Sequence, residues 1–551
     1  AYAPVAVSNK VLAVREGTFS DDDIEVVAAH ARTEALAVWR HFAEEAVKRA
    51  GSLLRGRLRT EHTPVGVIDD LLEFVVAWRH FGEGEYGAAF DLAEHALDAR
   101  KGLRDFSPWQ GEALPKSSLD GHRETIFAKD APRSGEVVRR FRIGPGEQLD
   151  GVGVVKRMGG KPDHFIPVAR VALAPWIVAI EQRVASGALR DAKLEESWVA
   201  LLKACDAFGV TARNPNAPPW LGGSFPYDAE LFLEGQWASL DFFEGREGAE
   251  FGKTYVRPVL DALGQGTEPY SYIACLRGDG DHMGKVLRAL PNDIRHRAFS
   301  EALGAFAKQV RADVTKDLGV TIYAGGDDLL ALVPVERAAS CAAALQGAFV
   351  AHLGKAFEGT GFTPTLSIGV AVCHVLTALG EVLGRAKEAL RFAKEGDELP
   401  VDESRCALAV IVDKRAGGPR RWRCRWDEDP GGRMAKLADG FASERIPGGL
   451  PFEVERLLRK LPHPAREGLA NDIGWAQVAR SDVLAILQKK QPDALNKRGI
   501  APEEVDLHLD PSAFYEEIYE ALNAWVDRCC IARELAAARR SAARIGTRGE
   551  G

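Results

Sequence analysis

The stretch TIYAGGDDLLALVP, residues 321–334, decides how this chain folds. It reads as a strand, a tight turn and a second strand. Ile322 and Tyr323 precede the turn, and Leu329, Leu330, Leu332 and Val333 follow it. Gly325 and Gly326 accept backbone angles that other residues avoid, so the chain can reverse there. Asp327 and Asp328 are then expected at the exposed tip of a hairpin. Adjacent carboxylates repel each other and add nothing to the stability of a tip. The usual use of such a pair is to hold a divalent cation against phosphate oxygens. Taken alone, GGDD fits an ordinary solvated turn slightly better.

The segment upstream shifts that balance. Residues 270–287 read YSYIACLRGDGDHMGKVL: an apolar strand from Tyr272 to Leu276 runs into Gly278-Asp279-Gly280-Asp281, and a helix starts near Met283. A helical period follows, with Ala298, Leu303, Phe306 and Val310 on one side. After the hairpin come a helix (ERAASCAAALQGAFVAHLGKAF), a strand (TPTLSIGVAVCH) and another helix (LTALGEVLGRAKEALRFAKEG). The order strand, helix, hairpin, helix, strand, helix suits a ferredoxin-like palm. In that fold the first strand lies beside the hairpin, and Asp279 faces Asp327 and Asp328. Three carboxylates at one sheet edge outline a two-metal phosphoryl-transfer site.

The blocks DGDHMGK, YAGGDDLLALVP, LSIGVAV and RAKEALRFAKEG resemble, in this order, the palm of the large subunit of type III CRISPR effector complexes. They are more distantly similar to the GGDEF diguanylate cyclases. Three further segments are similar to the Cmr (III-B) branch: ALDARKGLRDFSP at 96–108, VKRMGGKPDHFIPVARVALAPW at 155–176, and LAVIVDKRAGGPRRWRCRW at 408–426. The resemblance implies an α+β fold, a palm of polymerase and cyclase type flanked by helical domains. It divides the chain into the tail of a degenerate first palm (1–50), a mainly helical middle domain (51–262), the catalytic GGDD palm (263–430) and a C-terminal helical domain (431–551). It also implies partners: other Cmr-type subunits, guide crRNA and target RNA.

Two departures from that family's pattern stand out. The family carries a zinc finger of two CxxC pairs in its middle domain, about 106–165 here. The corresponding positions are Ser117, Asp120, Asp150 and Gly153, none of them cysteine. A structural zinc site needs four ligands, commonly thiolate or imidazole. His122 and His164 do not rebuild such a set, so no zinc is expected and the loop should be held by packing and hydrogen bonds. The family also often begins with an HD nuclease and an inactive first palm. No HD dipeptide occurs here, and the sequence starts at Ala1 without methionine. A natural N-terminal portion is therefore expected to be absent from this sequence. VAVSNKVLA and the long helix after it resemble the end of that first palm. Ser20 and Asp23 have capping-box spacing, with an apolar stripe from Ile24 through Trp39 and Phe42.

Bulk properties agree with a large intracellular enzyme subunit. The 551 residues are enough for several cores, and a net charge of −8 excludes a polybasic coat for nucleic acid. The eight cysteines show no CxxC spacing, which fits a reducing compartment and a cytoplasmic location. The most apolar stretch, FIPVARVALAPWIVAI, is broken by Pro167, Arg170 and Pro175, so no membrane partner is expected. In RRWRCRW, alternation puts Arg421, Arg423 and Arg425 on one face and Trp422, Cys424 and Trp426 on the other. A half-buried strand with a solvated arginine face is favoured there over an RNA contact. The arginines at 528, 533, 539, 540, 544 and 548 lie on an alanine-rich helix, where they could meet RNA, meet an acidic neighbour or keep the helix soluble.

The activity implied by the resemblance is synthesis of cyclic oligoadenylates from ATP when target RNA is bound. Mg²⁺ or Mn²⁺ would be held by Asp279, Asp327 and Asp328 and the backbone at Gly280. Amides of Asp281, His282, Met283 and Gly284 are placed to receive triphosphate oxygens, with Gly325 and Gly326 shaping the turn. The His282 imidazole itself is not needed. Lys394 resembles a phosphate-facing lysine of the wider cyclase family; a solvated helix-end lysine is nearly as good a reading. Two other functions stay open: a structural subunit without turnover, and a stand-alone GGDEF-type cyclase. A dead palm usually loses its acids, which counts against the first. The large helical domains count against the second.

Overall fold

The computed structural model describes residues 10–54, 73–103, 113–119, 121–131, 137–138, 141, 143–144, 146–159, 166–185, 192–210, 225, 227–240, 246–396, 404–490 and 499–547. Helices before the palm are α1 (Asp21–Ala50), α2 (Tyr86–Gly102), α3 (Gly151–Met158), α4 (Val168–Ala172), α5 (Ala174–Ala185), α6 (Ala192–Ala207), α7 (Arg246–Phe251) and α8 (Arg257–Leu263). The palm runs β1 (Tyr272–Gly280), α9 (Met283–Ala289), α10 (Asp293–Lys316), β2 (Val320–Gly325), β3 (Asp328–Pro334), α11 (Ala338–Phe357), β4 (Leu366–His374), α12 (Leu379–Glu395), β5 (Ala407–Asp413) and β6 (Arg420–Arg425). After it come α13 (Pro430–Ala442), α14 (Leu450–Leu458), α15 (Ile473–Lys489) and α16 (Tyr515–Thr547).

The sheet order is β2-β3-β1-β4-β5-β6. β1 is antiparallel to both β3 and β4, so the first four strands have the ferredoxin-like arrangement expected from the sequence. β5 adds in parallel to β4 and turns back as β6, which widens the sheet. Both faces are covered, and that is why β4 is apolar almost without alternation and buried along nearly its whole length. α10 and α11 cover one face, with Phe299, Phe306, Val310, Leu345 and Phe349 against Leu276, Ile368 and Val370. The other face, carrying Ile273, Cys275, Ala371 and Cys373, is closed by α12 and by middle-domain helices through Trp176, Ile177 and Phe232. Gly369 lies under α12: an added Cβ would stand 2.0 Å from the Leu390 amide nitrogen. That close approach fixes the helix that ends at Lys394.

The N-terminal helix has the capping box predicted for it. The Ser20 hydroxyl accepts from the Asp23 amide, and the Asp23 carboxylate accepts from the Ser20 amide. Its apolar stripe is not a core. Only Ala43, Ala46 and Ala50 are buried, whereas Val26, Val27 and Phe42 are exposed. The buried end packs on α3, where Arg49 donates to the Met158 carbonyl at 2.7 Å.

Three of the residues standing at finger positions meet. Asp150 caps α3 by accepting from the Gly153 amide at 2.9 Å, and the Ser117 hydroxyl donates to the same carboxylate at 3.4 Å. A side chain at Gly153 would crowd that oxygen at 2.8 Å. Asp120 and His164 lie outside the described residues.

The arginine face of β6 is only partly left to solvent: Arg421 is exposed, whereas Arg423 is held against the chain. Arg423 donates from Nε to the Ala393 carbonyl at 3.1 Å and from Nη2 to the Arg405 carbonyl at 3.1 Å. Arg421 sits 5.2 Å over the Phe392 ring. The Arg423 cation at the C-terminal end of α12 thus meets one of its last carbonyls, where a positive charge also suits the helix dipole. Trp422 and Cys424 are buried on the opposite face, as alternation requires.

The arginines of α16 have partners within the chain, some of them at the surface. Arg539 pairs with Asp439, Arg540 donates to the Phe441 carbonyl at 2.9 Å, and Arg544 to the Gly266 carbonyl at 3.3 Å. Arg528 pairs with Asp506 at 3.3 Å, and Arg533 lies 4.6 Å over the Phe452 ring. Arg548 lies outside the described residues. No described helix is long and apolar enough to cross a membrane.

Candidate active site

The turn between β2 and β3 is shorter than the sequence suggested. Gly325 still belongs to β2 and pairs with Asp328, leaving Gly326 and Asp327 as the two turn residues. Only Gly326 uses the left-handed region, at φ 63°. Gly325 instead leaves room for the half-exposed Tyr323 side chain. A Cβ there would stand 2.6 Å from the Tyr323 hydroxyl, because the phenol folds back along the strand and donates to the Gly325 carbonyl at 3.4 Å. A one-residue register shift between Thr321 and Tyr323 accompanies this arrangement.

Asp327 is correspondingly not the exposed tip residue it was expected to be. It is half-buried, while Asp328 is exposed. β1 brings Asp279 alongside: Gly278 pairs with Leu329, so the next residue on β1 reaches the level of Asp328. Gly280 makes the approach possible, since a Cβ there would meet the Met283 Cγ at 2.8 Å and the Asp327 Cβ at 3.0 Å. The electrostatics record the crowding. Burial, then the neighbouring Asp279 and Asp328, push the Asp327 carboxyl up to about 6. Asp328 is raised by burial and by Asp279, against the opposing pull of Arg277 and Lys394. Lys394, at the end of α12, places Nζ 2.7 Å from Asp279 Oδ2. The lysine that the sequence left between two readings is thus part of the acid cluster and is only 16% exposed.

Asp281 departs from its expected part. Its amide donates to the Thr365 carbonyl at 2.9 Å, so it is not offered to a ligand. Its carboxylate points into the protein and accepts from Ser367, Thr365 and the Cys406 amide. The sheet continues one pair past β1, and that claims the group. His282 takes a left-handed conformation, φ 59°, just before α9, and its ring stands 5.6 Å from the Phe362 ring. Met283 is buried and Gly284 faces open space, with no heavy atom within 4 Å of an added Cβ. Burial depresses the His282 pKa, and so do the cations Arg405, Lys285 and Lys394. Sequence reasoning missed Arg405 and Arg277. Arg277 was legible in principle, two residues before Asp279 on the same strand face. Arg405 had no local signal.

The donor set is three hard carboxylates, two of which, Asp327 and Asp328, are raised by burial and by the neighbouring Asp279, and this suits a hard divalent cation such as Mg²⁺ or Mn²⁺. Among the described residues, no three His, Cys, Asp or Glu already stand in a metal-binding arrangement. Asp279, Asp327 and Asp328 are electrostatic neighbours, with Lys394 on Asp279. Together they offer acids for a cation, and cations for a polyphosphate, at one end of one sheet.

Comparison with known proteins agrees with this architecture. Residues 272–399 match the family model "Cas10/Cmr2, second palm domain". A curated relative, the CRISPR system Cmr subunit Cmr2 of Pyrococcus furiosus, is 31% identical over 222 residues, which cover 34% of this chain and 24% of that protein. The matched stretch therefore spans about a quarter of the relative's length. Among solved structures, the type III-B Cmr-beta complex in its apo state aligns with a TM-score of 0.54 at 12% identity, over 92% of this chain and 69% of that one. The Cmr-beta complex bound to cognate target RNA aligns with a TM-score of 0.51 at 13% identity, over 92% and 70%. At such identities the structural likeness speaks for the fold alone. The motif blocks at 279–285, 323–334, 366–372 and 385–396 all fall inside the matched stretch, and over that stretch the chain is similar to the second palm domain of Cas10/Cmr2 proteins.

Proposed function

We propose that this chain is the large subunit of an RNA-guided type III-B effector and that its palm joins ATP into cyclic oligoadenylates. The observation that carries the proposal is the half-buried Asp327, held near Asp279 and Asp328 with its carboxyl raised to about 6, beside the Lys394 ammonium. A fold that gained nothing from such crowding would shed it. A site that must take up cationic charge uses it.

In the reaction, the 3′-hydroxyl oxygen of one ATP forms a bond to the α-phosphorus of another. The bond from that phosphorus to the bridging oxygen breaks, pyrophosphate leaves and the hydroxyl proton is lost. A bound Mg²⁺ or Mn²⁺ supplies neutralising charge and makes the hydroxyl more acidic. Asp279, Asp327 and Asp328, with the backbone at Gly280, would hold it. Lys394 and Arg405 present positive charge to the phosphates on the α12 side. Gly284 leaves the start of α9 open for close approach. Other Cmr-type subunits, guide crRNA and target RNA are the proposed partners, and a cytoplasmic setting follows from that role. Assembling the chain with guide and target RNA, Mg²⁺ and labelled nucleotides, and identifying products by mass spectrometry, tests the reading. Adenylate rings that depend on target RNA support it. Assembly without turnover would leave a scaffold, and a cyclic dinucleotide made from GTP by the isolated chain would favour a free-standing cyclase.

A further inference from the structure

Asp281 is a charged side chain with no exposed surface, two residues beyond Asp279. Its carboxylate accepts from Ser367 Oγ at 2.9 and 3.0 Å, Thr365 Oγ1 at 2.9 Å and the Cys406 amide at 3.1 Å, with the Arg405 guanidinium 3.8 Å away. These contacts join the end of β1 to two other segments, the start of β4 and the residues just before β5. All of them bear on the site. β1 carries Asp279, whose ladder partner on β4 is Ser367. The β5 segment is tied to the end of α12, because the Arg405 amide donates to the Lys394 carbonyl at 2.8 Å. Arg405 and Cys406 both take left-handed backbone angles, φ 66° and 47°, which cost energy and need an anchor. Asp281 provides one at Cys406.

We propose that Asp281 is a positioning residue of the nucleotide site: its carboxylate pins β1, β4 and the Arg405–Cys406 segment together and so sets where Lys394 stands relative to Asp279. The proposal rests on the function proposed above only for its consequence in turnover. The geometric claim concerns this chain's own residues. A buried carboxylate that accepts several hydrogen bonds resists replacement by an amide, since one amide nitrogen cannot accept and at least one donor loses its partner.

The test uses the assembled complex and three variants, Asp281→Asn, Thr365→Val and Lys394→Met. Accessibility of Lys394 is read by timed acylation of lysines and mass spectrometry, with Lys285 and Lys387 as internal controls. Asp281→Asn should raise the labelling rate of Lys394 several-fold and leave the controls unchanged. Thr365→Val removes a single donor and should shift it in the same direction by less, which keeps the test decisive if Asp281→Asn unfolds. Turnover should fall by on the order of 10- to 100-fold in Asp281→Asn, as expected for a displacement of about an ångström. It should fall no further when Asp281→Asn is combined with Lys394→Met than in Lys394→Met alone. Unchanged Lys394 labelling in folded variants, or losses that simply multiply in the double variant, would overturn the proposal. A wild-type complex that shows the labelling pattern but turns over no nucleotide would sink the enzymatic reading and leave the positioning role standing.

Discussion

Replacing Asp327 by asparagine should make the chelator-treated protein more stable at neutral pH while removing its activity. The carboxyl stands at about 6 in the fold against 3.8 for an unperturbed aspartate, so the fold binds this proton more tightly than the unfolded chain does. The sign follows from linkage: wild-type stability is highest with Asp327 protonated and declines as pH rises from about 4 to about 6. Two pKa units correspond to about 3 kcal/mol, and solvent screening at a half-buried site brings the usable figure to roughly 1–2 kcal/mol. Asparagine keeps the shape and never ionises. The variant should therefore gain that amount at pH 7 and nothing near pH 3.5. Thermal or urea unfolding in EDTA at pH 4, 5, 6 and 7 measures the difference. Added Mg²⁺ should then stabilise wild type more than the variant. A variant less stable than wild type at pH 7, or a difference that does not change with pH, would refute the argument that the acids are crowded beyond what Lys394 and Arg277 offset.

Three other outcomes are expected. Asp327→Asn combined with Asp328→Asn should abolish nucleotide synthesis and leave complex assembly intact, read by product analysis and gel filtration, because the fold gains little from either charge. Gly280→Ala should cut activity by ten-fold or more, since its Cβ would stand 2.8 Å from Met283 and 3.0 Å from Asp327, while nucleotide-free thermal stability changes far less than activity. Asp150→Ala should destabilise the middle domain by about 1 kcal/mol through loss of a helix cap, and elemental analysis of washed wild-type protein should find no stoichiometric zinc.

The palm was legible because its signals are local and periodic. β1 and the hairpin are apolar runs broken by glycine and acid, β4 is an apolar run after a proline, and the helices between them repeat at helical spacing. The order of those elements settles which strands can be neighbours. What the sequence concealed depends on contacts distant along the chain. Asp281 reads as one more acid in DGDHMGK, and nothing local says that Ser367 and Cys406 claim it. Gly325 and Gly326 look equivalent, yet one serves a turn and the other yields room to Tyr323. Arg423 of β6 reads as solvated because alternation names its face but not the Ala393 carbonyl of α12 lying across it. The stripe on α1 misled in the opposite direction: its spacing is correct, yet most of it is not covered by any described residue.

The long α16 carries a consequence for synthesis. Along its length it lies against α13, α14 and α15, crosses β6 and reaches α5, where Arg183 donates to the Ile545 carbonyl at 3.1 Å. Tyr270, at the threshold of the palm, donates to Glu534 at 2.8 Å, and Ser541 donates to the Glu268 carbonyl at 2.7 Å. Every element it braces precedes it in the chain. On the ribosome the sheet can therefore form and pack against α4 and α5, but the ties at Tyr270, Glu268 and Arg183 must await the arrival of this helix. A nascent chain halted before Glu534 would present a finished-looking sheet with its brace absent, and the exposed seam between Trp176, Tyr270 and Pro334 would mark it for chaperones and proteases.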